Sequence, residues 1–436
     1  MSESLSGTGP GLKLHNKILL GLAVGAVAGV AVNLTVGDAH PVVEAVNDYV
    51  AVPVGQIFLR MLFMVVMPLV FASIALGVAG VGDIRRVGRI GGKAVGYFLA
   101  TTALAATLGL FVVNLARPWE RVTPETREEL MAEFAGDASA RVEAAAVSTF
   151  GVQTLITIVP RNPVDAAART DLLGIIFFGL IFGAALTVMD PGRARPMVEW
   201  LEALNGVVMR IIHFAMSLAP YGVAGLIFTV ASSFGFDLLL AVAAYVLTVL
   251  GALTLHVVVT LALIIRFGIG LSPVAFLLRV KSALVTAFST SSSSATLPTA
   301  LEVAEEQIGV PRRIAGFVLP IGSTMCMNGT AIFEGTTVIF LAEIFGVDLT
   351  VPQMAIVMIM SVITAVGAAG VPGGSIPLLV GILTMFGVPG EGIAVVLGVD
   401  RILDMSRTTV NVCSDLTATV WVARSERAWS PQDLPT

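Results

Sequence analysis

The sequence carries very little charge for its length. Of its 436 residues, 13% are Asp, Glu, Lys or Arg and 56% are hydrophobic, with a mean hydropathy of +0.92. A soluble protein has about 25% charged residues, so this chain has too few to cover a surface that faces water. The shortage excludes a soluble enzyme or binding domain. It predicts an all-α polytopic membrane protein surrounded by a lipid bilayer.

Cysteine, histidine and clustered basic residues are also scarce. The two cysteines, Cys326 and Cys413, lie in apolar segments, so no disulfide framework is indicated. The sequence has no basic stripe, which argues against nucleic-acid binding. The four histidines lie outside the serine-rich segment and the polar last helix described below, so neither segment contains a base for a serine nucleophile. We therefore expect a transport protein, not an enzyme.

Uncharged runs long enough to cross a bilayer, about 20 residues, recur along the chain. They are Ile18–Val36, Met61–Gly82, Ala94–Ala116, Leu172–Met189, Ile211–Phe236, Leu238–Ile265, Ser282–Leu301, Ile314–Phe333 and Gln353–Gly390. Because Lys- and Arg-rich loops stay in the cytoplasm, the charges between the runs predict cytoplasmic N- and C-termini in a multi-pass protein of the cell (inner) membrane. The same rule places the acidic segment Arg117–Glu143 outside.

Two of the runs fit this orientation only as hairpins. Arg312 and Arg313 belong on the cytoplasmic side, so the preceding run, Ser282–Leu301, must enter the membrane and return. By the same parity, Gln353–Gly390 forms a second hairpin that enters from outside. The prediction is therefore eight transmembrane helices plus two opposed re-entrant hairpins, at about 272–303 and 353–388. Such opposed broken segments are typical of the inverted repeats of secondary transporters.

Both predicted hairpins contain residues that break a helix. The first reads Ser289-Thr-Ser-Ser-Ser-Ser-Ala-Thr-Leu-Pro298, and the second reads Gly367-Ala-Ala-Gly-Val-Pro-Gly-Gly-Ser375. Open backbone at membrane depth is tolerated only where protein or a water-filled cavity covers it, so the two tips indicate a binding site. A flexible polar surface loop is the alternative for the serine run.

The last apolar segment carries its polar residues on one side of a helix. At about 100° per residue, a single arc of about 100° contains Asp400, Asp404, Arg407, Thr408, Asn411 and Asp415. Charges in a spanning helix are costly and usually functional. Asp404 can hold an ammonium group and Arg407 a carboxylate, whereas Asp415 can hold a cation together with carbonyl oxygens. A structural ladder that pairs Asp404 with Arg407, or Arg407 with Asn411, is the alternative.

Four motifs in these segments resemble the glutamate transporter family, the dicarboxylate/amino acid:cation symporters. They are the serine tip with Thr296-Leu-Pro298, Met327-Asn328-Gly329-Thr330, Gly370-Val-Pro-Gly373, and Asp404-x-x-Arg407-Thr408-x-x-Asn411-x-x-x-Asp415. The resemblance implies a homotrimer that works by an elevator motion. Residues 1–92 and 117–236 would form its scaffold. Residues 93–116 and 237–436 would form its transport domain, which has a seventh helix at about 312–342, a last helix at about 391–424 and the second hairpin as gate.

The resemblance also implies roles for individual residues. Asp404 would bind the amino group of the substrate, Arg407 its side-chain carboxylate, and Thr408 would support the site. The other implied substrate contacts are Ser292, Ser293, Thr330, Val371 and Asn411. The implied first sodium site consists of Asp415 with carbonyls of Gly322, Cys326 and Asn411. The implied second sodium site consists of carbonyls near Ser323, Thr324, Val366 and Ala368.

Two positions discriminate among substrates within that family. Members that carry C4-dicarboxylates usually lack the Asp at position 404, and members that carry neutral amino acids usually lack the Arg at position 407. Both residues are present here, so the resemblance favours aspartate or glutamate. A neutral amino acid, a C4-dicarboxylate or anion channel activity are the alternatives.

The sequence departs from the family pattern at two places. A third sodium site would use Tyr97, Thr101 and the residue at 328, but Asn328 replaces an Asp, and Ala100 stands at a hydroxyl position. We therefore expect this site to be weak or absent, with proton coupling as a possibility. A supporting arginine is also missing, because Ser291 and Met405 occupy its usual places. Arg401 could substitute for it, or could pair with Asp400.

Overall fold

The computed structural model describes residues 14–37, 40–87, 89–124, 126–128, 159–169, 171–368, 370 and 372–435. Within these ranges the chain is predominantly helical and contains no β-strand, which confirms the predicted all-helical class. Val371 and most of the predicted acidic outer segment lie outside the described residues.

The described part of the first half of the chain consists mainly of long helices. Its α-helices are Leu14–Thr35, Pro41–Val46, Val52–Phe63, Val66–Val87, Arg89–Ala116, Pro163–Ala168, Leu172–Val188 and Pro191–Leu255. The last of these is kinked at Gly235, whose φ of 66° lies in the left-handed region that favours glycine.

The second half contains shorter helices. They are Pro273–Thr290, Ser293–Glu302, Arg312–Met325, Asn328–Ile344, Val351–Gly367, Ile376–Met385, Ala394–Leu397 and Asp400–Ser425. We call residues 273–302 hairpin 1, residues 351–385 hairpin 2, Arg312–Ile344 the broken helix and Asp400–Ser425 the last helix. The last helix begins later than the sequence suggests, since a separate turn, Ala394–Leu397, precedes it.

The helices break near the positions that the sequence marks. Hairpin 1 breaks at Ser291 and Ser292, and hairpin 2 between Gly367 and Ile376. In the seventh span, Pro320, Gly322 and Gly329 are residue types that predict interruptions of the helix. This prediction is wrong for Pro320 and Gly322, because both lie within a continuous helix that ends at Met325. A buried helix accommodates a proline when its surroundings satisfy the freed carbonyl.

Seven helical segments in the described part of the chain are long and apolar enough to cross a bilayer. They are Asn16–Thr35, Pro41–Ala79, Arg89–Arg121, Pro191–Gly235, Leu238–Ile269, Pro273–Thr290 and Arg312–Ile344. The sequence-based count of eight differs because it adds the charged last helix and the shorter apolar helix Leu172–Val188, and treats Pro273–Thr290 as one limb of a hairpin. The helices identify a membrane protein.

The helices pack around two large apolar cores. In one, Leu14–Thr35 lies so close to Pro191–Leu255 that a Cβ on Gly25 would be 2.5 Å from the Ala224 carbonyl oxygen. The other core joins hairpin 1, the broken helix, Arg89–Ala116 and the last helix. Neighbouring elements therefore enclose the last helix, and its polar residues are buried.

The end of the last helix is fixed by an ion-pair cluster outside the predicted spans. Glu426 accepts from Arg89 Nη2 and Lys93 Nζ, each at 2.6 Å. Hydrogen bonds from Arg89 and then Lys93 lower the pKa of Glu426 to about 2. Because the pKa of Glu426 is lower in the folded than in the unfolded protein, its charged form stabilises the fold. This contribution is complete when the pH is above the pKa of Glu426 in the unfolded chain, and it is lost as the pH falls through about 2. The cluster is therefore intact at neutral pH.

We predict that Glu426→Gln lowers the melting temperature of the detergent-purified protein by about 1–2 °C at neutral pH. The substitution removes the carboxylate that holds both cations, and added salt should shrink the difference because Arg89 is largely exposed. Glu199→Gln, which breaks the exposed Arg195–Glu199 pair, is the matched control and should change nothing. Equal effects of the two substitutions would contradict the prediction.

Candidate functional site

A buried arginine on the last helix is held by two aspartates of the same helix. Arg407 Nη2 lies 2.8 Å from Asp404 Oδ1, and Arg407 Nη1 donates to Asp400 Oδ1 at 3.0 Å. The guanidinium carbon lies 4.1 Å from the centre of the Phe333 ring, which gives a cation–π contact. The side chain of Arg407 is 2% exposed. The predicted polar stripe therefore forms a charge cluster. Asp404 and Arg407 pair with each other in it, as in the alternative interpretation of the stripe as a structural ion-pair ladder.

The second oxygen of Asp404 faces different groups. Its Oδ2 accepts from the backbone N–H of Gly373 in hairpin 2 at 3.3 Å and lies 3.6 Å from Arg401 Nη1. Arg401 thus lies beside Asp404. The cluster of two aspartates and two arginines is formally neutral, which reduces the cost of burying it.

The tips of the two hairpins meet beside this cluster. Ser292 Oγ donates to the Gly370 carbonyl at 2.6 Å, and the backbone N–H of Ser294 donates to the same oxygen at 3.2 Å. Ser292 Oγ also accepts from the N–H of Ala295 and so caps the second limb of hairpin 1. The tips therefore cover each other's open backbone.

A small cavity lies between the tips and the last helix. It is lined by Ser291, Ser293, Met327, Thr330, Ala368, Gly370, Ser375, Asp404, Arg407, Thr408 and Asn411. The volume open to water is about 20 Å³, which suits about one water molecule. An acidic amino acid is several times larger, so it could enter only if a lining element moved. Six of the predicted substrate residues converge on this cavity, and Ser292 lies in the adjoining tip contact.

The break in the broken helix brings its backbone against the last helix. The N–H of Gly329 donates to Asn411 Oδ1 at 2.7 Å, and Asn411 Nδ2 donates to Thr330 Oγ1 at 3.2 Å. A Cβ on Gly329 would lie 2.8 Å from Arg407 Cα, which is closer than a side chain allows. Glycine at 329 therefore permits the close approach that positions Asn411 and Arg407.

Asn328 has protein partners on both ends of its amide. Its Oδ1 accepts from Thr102 Oγ1 at 2.8 Å and lies 3.4 Å from Thr101 Oγ1. Its Nδ2 donates to Ser414 Oγ at 3.0 Å and lies 3.2 Å from His256 Nε2. Of the residues predicted for a third sodium site, Thr101 and Asn328 therefore meet directly. Tyr97, one turn from Thr101, has a buried hydroxyl with no partner in the described part of the chain.

The residues predicted for the first sodium site also lie close together. Asp415 is buried, its Oδ1 has no hydrogen-bond partner among the described residues, and a Cβ on Gly322 would lie 2.6 Å from that oxygen. Cys326 is also buried, and its backbone N–H donates to the Gly322 carbonyl at 2.8 Å. An unpartnered buried carboxylate oxygen is the donor type that a hard cation prefers.

The second predicted sodium set is less compact. The carbonyl of Ser323 approaches hairpin 2 so closely that a Cβ on Gly370 would lie 2.6 Å from it. Ala368 lines the site cavity, whereas Val366 lines a separate apolar cavity. The hydroxyl of Thr324 donates to the Ile321 carbonyl at its own helix surface. In the described ranges, no three His, Cys, Asp or Glu side chains could hold a metal ion, so a cation here would rely largely on carbonyl oxygens.

Sequence reasoning missed several polar residues near the site. Glu334 is fully buried in the broken helix; its Oε2 accepts from Thr364 in hairpin 2 at 2.6 Å, and its Oε1 has no partner among the described residues. A glutamate just after an uncharged spanning run was the signal that could have found it. Asp400 was placed on the polar stripe without a role. The contacts of Thr102 and His256 carry no sequence signal, because they depend on helix packing.

We predict that Gly329→Ala lowers substrate transport by at least about 10-fold and also lowers the melting temperature. The added methyl group would push the broken helix away from Arg407 and break the bond to Asn411. Gly316→Ala is the matched control, because a Cβ there meets no atom within 4 Å. Uptake and thermal unfolding of both variants would be compared with wild type, and normal uptake by Gly329→Ala would contradict the packing argument.

The chain is similar to known proteins over most of its length. A profile of the sodium:dicarboxylate symporter family matches residues 14–425. The proton/sodium-glutamate symport protein of Geobacillus stearothermophilus is 31% identical over 95% of this chain and 96% of its own length. The proton/glutamate-aspartate symporter of Escherichia coli (strain K12) is 34% identical over 86% of this chain and 85% of its own length. The C4-dicarboxylate transport protein of Bacillus subtilis (strain 168) is 32% identical over 94% of both chains. The chain belongs to the sodium:dicarboxylate symporter family, a family of membrane transporters for dicarboxylate or glutamate with a coupled cation.

Proposed function

We propose that this protein is a secondary active symporter of acidic amino acids, aspartate or glutamate, driven by sodium ions. The observation that carries the proposal is the buried cluster of Asp400, Asp404 and Arg407 beneath two apposed helix tips. Buried ionisable residues in a membrane protein mark substrate and ion pathways. A zwitterion with an additional carboxylate matches a site that offers both signs of charge.

Each charged group of such a substrate has a partner in the cavity. Arg407 presents five N–H donors, and its contacts with Asp404 and Asp400 use three of them. A substrate carboxylate can take the rest. The ammonium can approach Asp404 Oδ2, whose protein contacts are long. Asn411, Thr330, Thr408, Ser293 and the tip at Ser292 and Val371 would complete the site.

The sodium ions would bind around the break in the broken helix. Asp415 supports the first site, because one of its oxygens is buried and has no hydrogen-bond donor in the described part of the chain. Carbonyls of Gly322, Cys326 and Asn411 would supply the other ligands. The second site, between Ser323–Thr324 and Val366–Ala368, would link sodium binding to the position of hairpin 2.

The Asn328 cluster supports fewer than three sodium ions per substrate. The amide is neutral, and protein groups already contact its oxygen and its nitrogen. It therefore offers a cation neither the charge nor the free oxygen that an aspartate would offer. We propose that no third sodium binds between Tyr97, Thr101 and Asn328.

Glu334 is our candidate for a proton carrier. No arginine or lysine forms an ion pair with this buried carboxyl group in the described part of the chain, and a charged form would be costly there. Its hydrogen bond with Thr364 joins the broken helix to hairpin 2. A change in the protonation of Glu334 would therefore alter a hydrogen bond to hairpin 2, the proposed gate.

The larger architecture is proposed on the resemblance and on the packing. We propose a homotrimer in the cell (inner) membrane with both termini in the cytoplasm. The elements around the first apolar core would form the scaffold, and those around the last helix would move past it as an elevator. Eight transmembrane helices and two re-entrant hairpins would make up each subunit.

A C4-dicarboxylate is the second candidate substrate. Arg401 lies beside Asp404 and partly offsets the negative charge that an ammonium would need. A similar protein of Bacillus subtilis also bears the name of a C4-dicarboxylate transport protein. The substrate experiment therefore compares the two classes directly.

We predict that proteoliposomes containing the purified protein accumulate labelled L-aspartate or L-glutamate against a gradient when sodium is high outside. Uptake of L-serine and succinate, tested in parallel under separate sodium and proton gradients, should be weaker. Accumulation driven by a cation gradient separates a carrier from a channel. Succinate uptake that exceeds aspartate uptake would contradict the proposed substrate, and a reversal potential that requires three sodium ions would contradict the loss of the third site.

Substitutions in the same assay test the charge assignments. Arg407→Ala should lower acidic amino acid uptake by about 30-fold or more, because it removes the buried guanidinium that pairs with both Asp400 and Asp404. Arg195→Ala, at an exposed arginine, is the control. Asp404→Asn should reduce aspartate uptake more than succinate uptake.

We predict that Glu334→Gln abolishes the acceleration of uptake by an inward proton gradient while it retains substrate binding. Glutamine keeps the shape and the hydrogen bond to Thr364 but cannot release a proton. Glu343→Gln, in the same helix but only partly buried, is the matched control. Proton-driven uptake that survives in Glu334→Gln would remove Glu334 from the proton pathway.

A further inference from the structure

Two serine hydroxyl groups in the site cavity have no hydrogen-bond partner among the described residues. Ser291 belongs to the tip of hairpin 1 and is 1% exposed, whereas Ser375 belongs to the tip of hairpin 2 and is 4% exposed. Both line the cavity that also contains Arg407. A buried hydroxyl without a partner is unfavourable. These two hydroxyl groups are therefore available to form hydrogen bonds with a ligand in the cavity.

The local structure leaves both hydroxyls unused. Ser375 precedes the first residue of the second limb of hairpin 2, a position where a serine usually caps the helix, yet its side chain makes no capping bond. Ser291 has a φ of 51°, and it is the next residue, Ser292, that caps the helix and binds Gly370. The tip serines therefore have different tasks: Ser292 holds the tips together, and Ser291 faces the cavity.

Some other polar groups of the cavity are already engaged. Asn411 and Thr330 bind each other, and the Oδ1 of Asp404 accepts from Arg407. The fully buried hydroxyls of Ser291 and Ser375 thus lie, with the side chains of Ser293 and Thr408, in one cavity with a guanidinium. Each hydroxyl can donate one hydrogen bond, and a carboxylate accepts several. The combination suits a negatively charged carboxylate oxygen better than an ammonium or an apolar group.

We propose that Ser291 and Ser375 are specificity-determining residues that donate hydrogen bonds to a substrate carboxylate, one from each hairpin. The proposal rests on the proposed function, because it places the substrate of that symporter in this cavity. A carboxylate held from both sides bridges the two hairpin tips.

A binding role and a structural role predict opposite results. Removing a hydroxyl that has no protein partner breaks no hydrogen bond within the fold, so alanine should leave stability unchanged or higher. If the hydroxyl binds substrate, alanine should weaken that binding. Ser361 supplies a matched control, since its hydroxyl is equally buried and unpartnered among the described residues but lies outside the cavity.

The experiment measures thermal unfolding without substrate and the Kd of L-aspartate in sodium buffer. Full-length Ser291→Ala, Ser375→Ala and Ser361→Ala are compared with wild type. We expect each cavity variant to weaken binding by about 3- to 10-fold, as for the loss of one hydrogen bond, with no loss of melting temperature. Ser361→Ala should bind normally. Unchanged binding in both cavity variants, or weakened binding that follows a lower melting temperature, would overturn the proposal.

Wild-type binding separates this proposal from the proposed function. L-aspartate, L-glutamate, succinate and L-serine are first tested on the wild type. If succinate binds and the amino acids do not, the proposed function fails, and the ratio of variant to wild-type Kd is measured with succinate. A 3- to 10-fold ratio would then support the two serines, and a ratio near one would overturn them.

Discussion

The structure depends on the cost of burying Arg407. An unpaired guanidinium inside a membrane protein is strongly unfavourable, and this one is fully enclosed. Asp404 and Asp400 lie one and two turns, respectively, nearer the start of the same helix, where their carboxylates reach its donors. Phe333 covers one face. The charge is thus neutralised within a single helix and its immediate neighbour, so the cluster can stay buried while surrounding elements move.

Close backbone approach makes this arrangement possible. The broken helix presents an N–H to Asn411 only because Gly329 lacks a side chain next to Arg407. The hairpin tips likewise satisfy each other's backbone, through Ser292 and Gly370. Irregular backbone at membrane depth is stable when protein covers it. At a helix break, a ligand can replace a protein group as the hydrogen-bond partner of the open backbone. This explains why the breaks surround the cavity.

Three buried carboxyl groups near the site differ in their partners and therefore in what they can bind. Asp404 is paired with arginine and contacts hairpin 2. Asp415 Oδ1 has no hydrogen-bond partner among the described residues and lies next to the break in the backbone, which suits a metal cation. Glu334 accepts from a hydroxyl group and forms no ion pair within the described ranges, which suits a proton. Similar residue types thus acquire different chemistry from burial and neighbours.

The sequence by itself determined the class of fold and most of the site. Low charge required a membrane protein, serine and glycine runs marked the hairpin tips, and the spacing of Asp404, Arg407 and Asn411 placed them on one helical face. These properties are local, because helix geometry converts spacing directly into direction. Only the tertiary structure decided that Asn328 meets Thr102 and His256, that Asp400 shares Arg407, that Pro320 does not end its helix, and that Ser375 faces the cavity. Those contacts join residues from different helices or depend on how a helix is covered, and helix spacing alone does not specify which side chains meet across an interface.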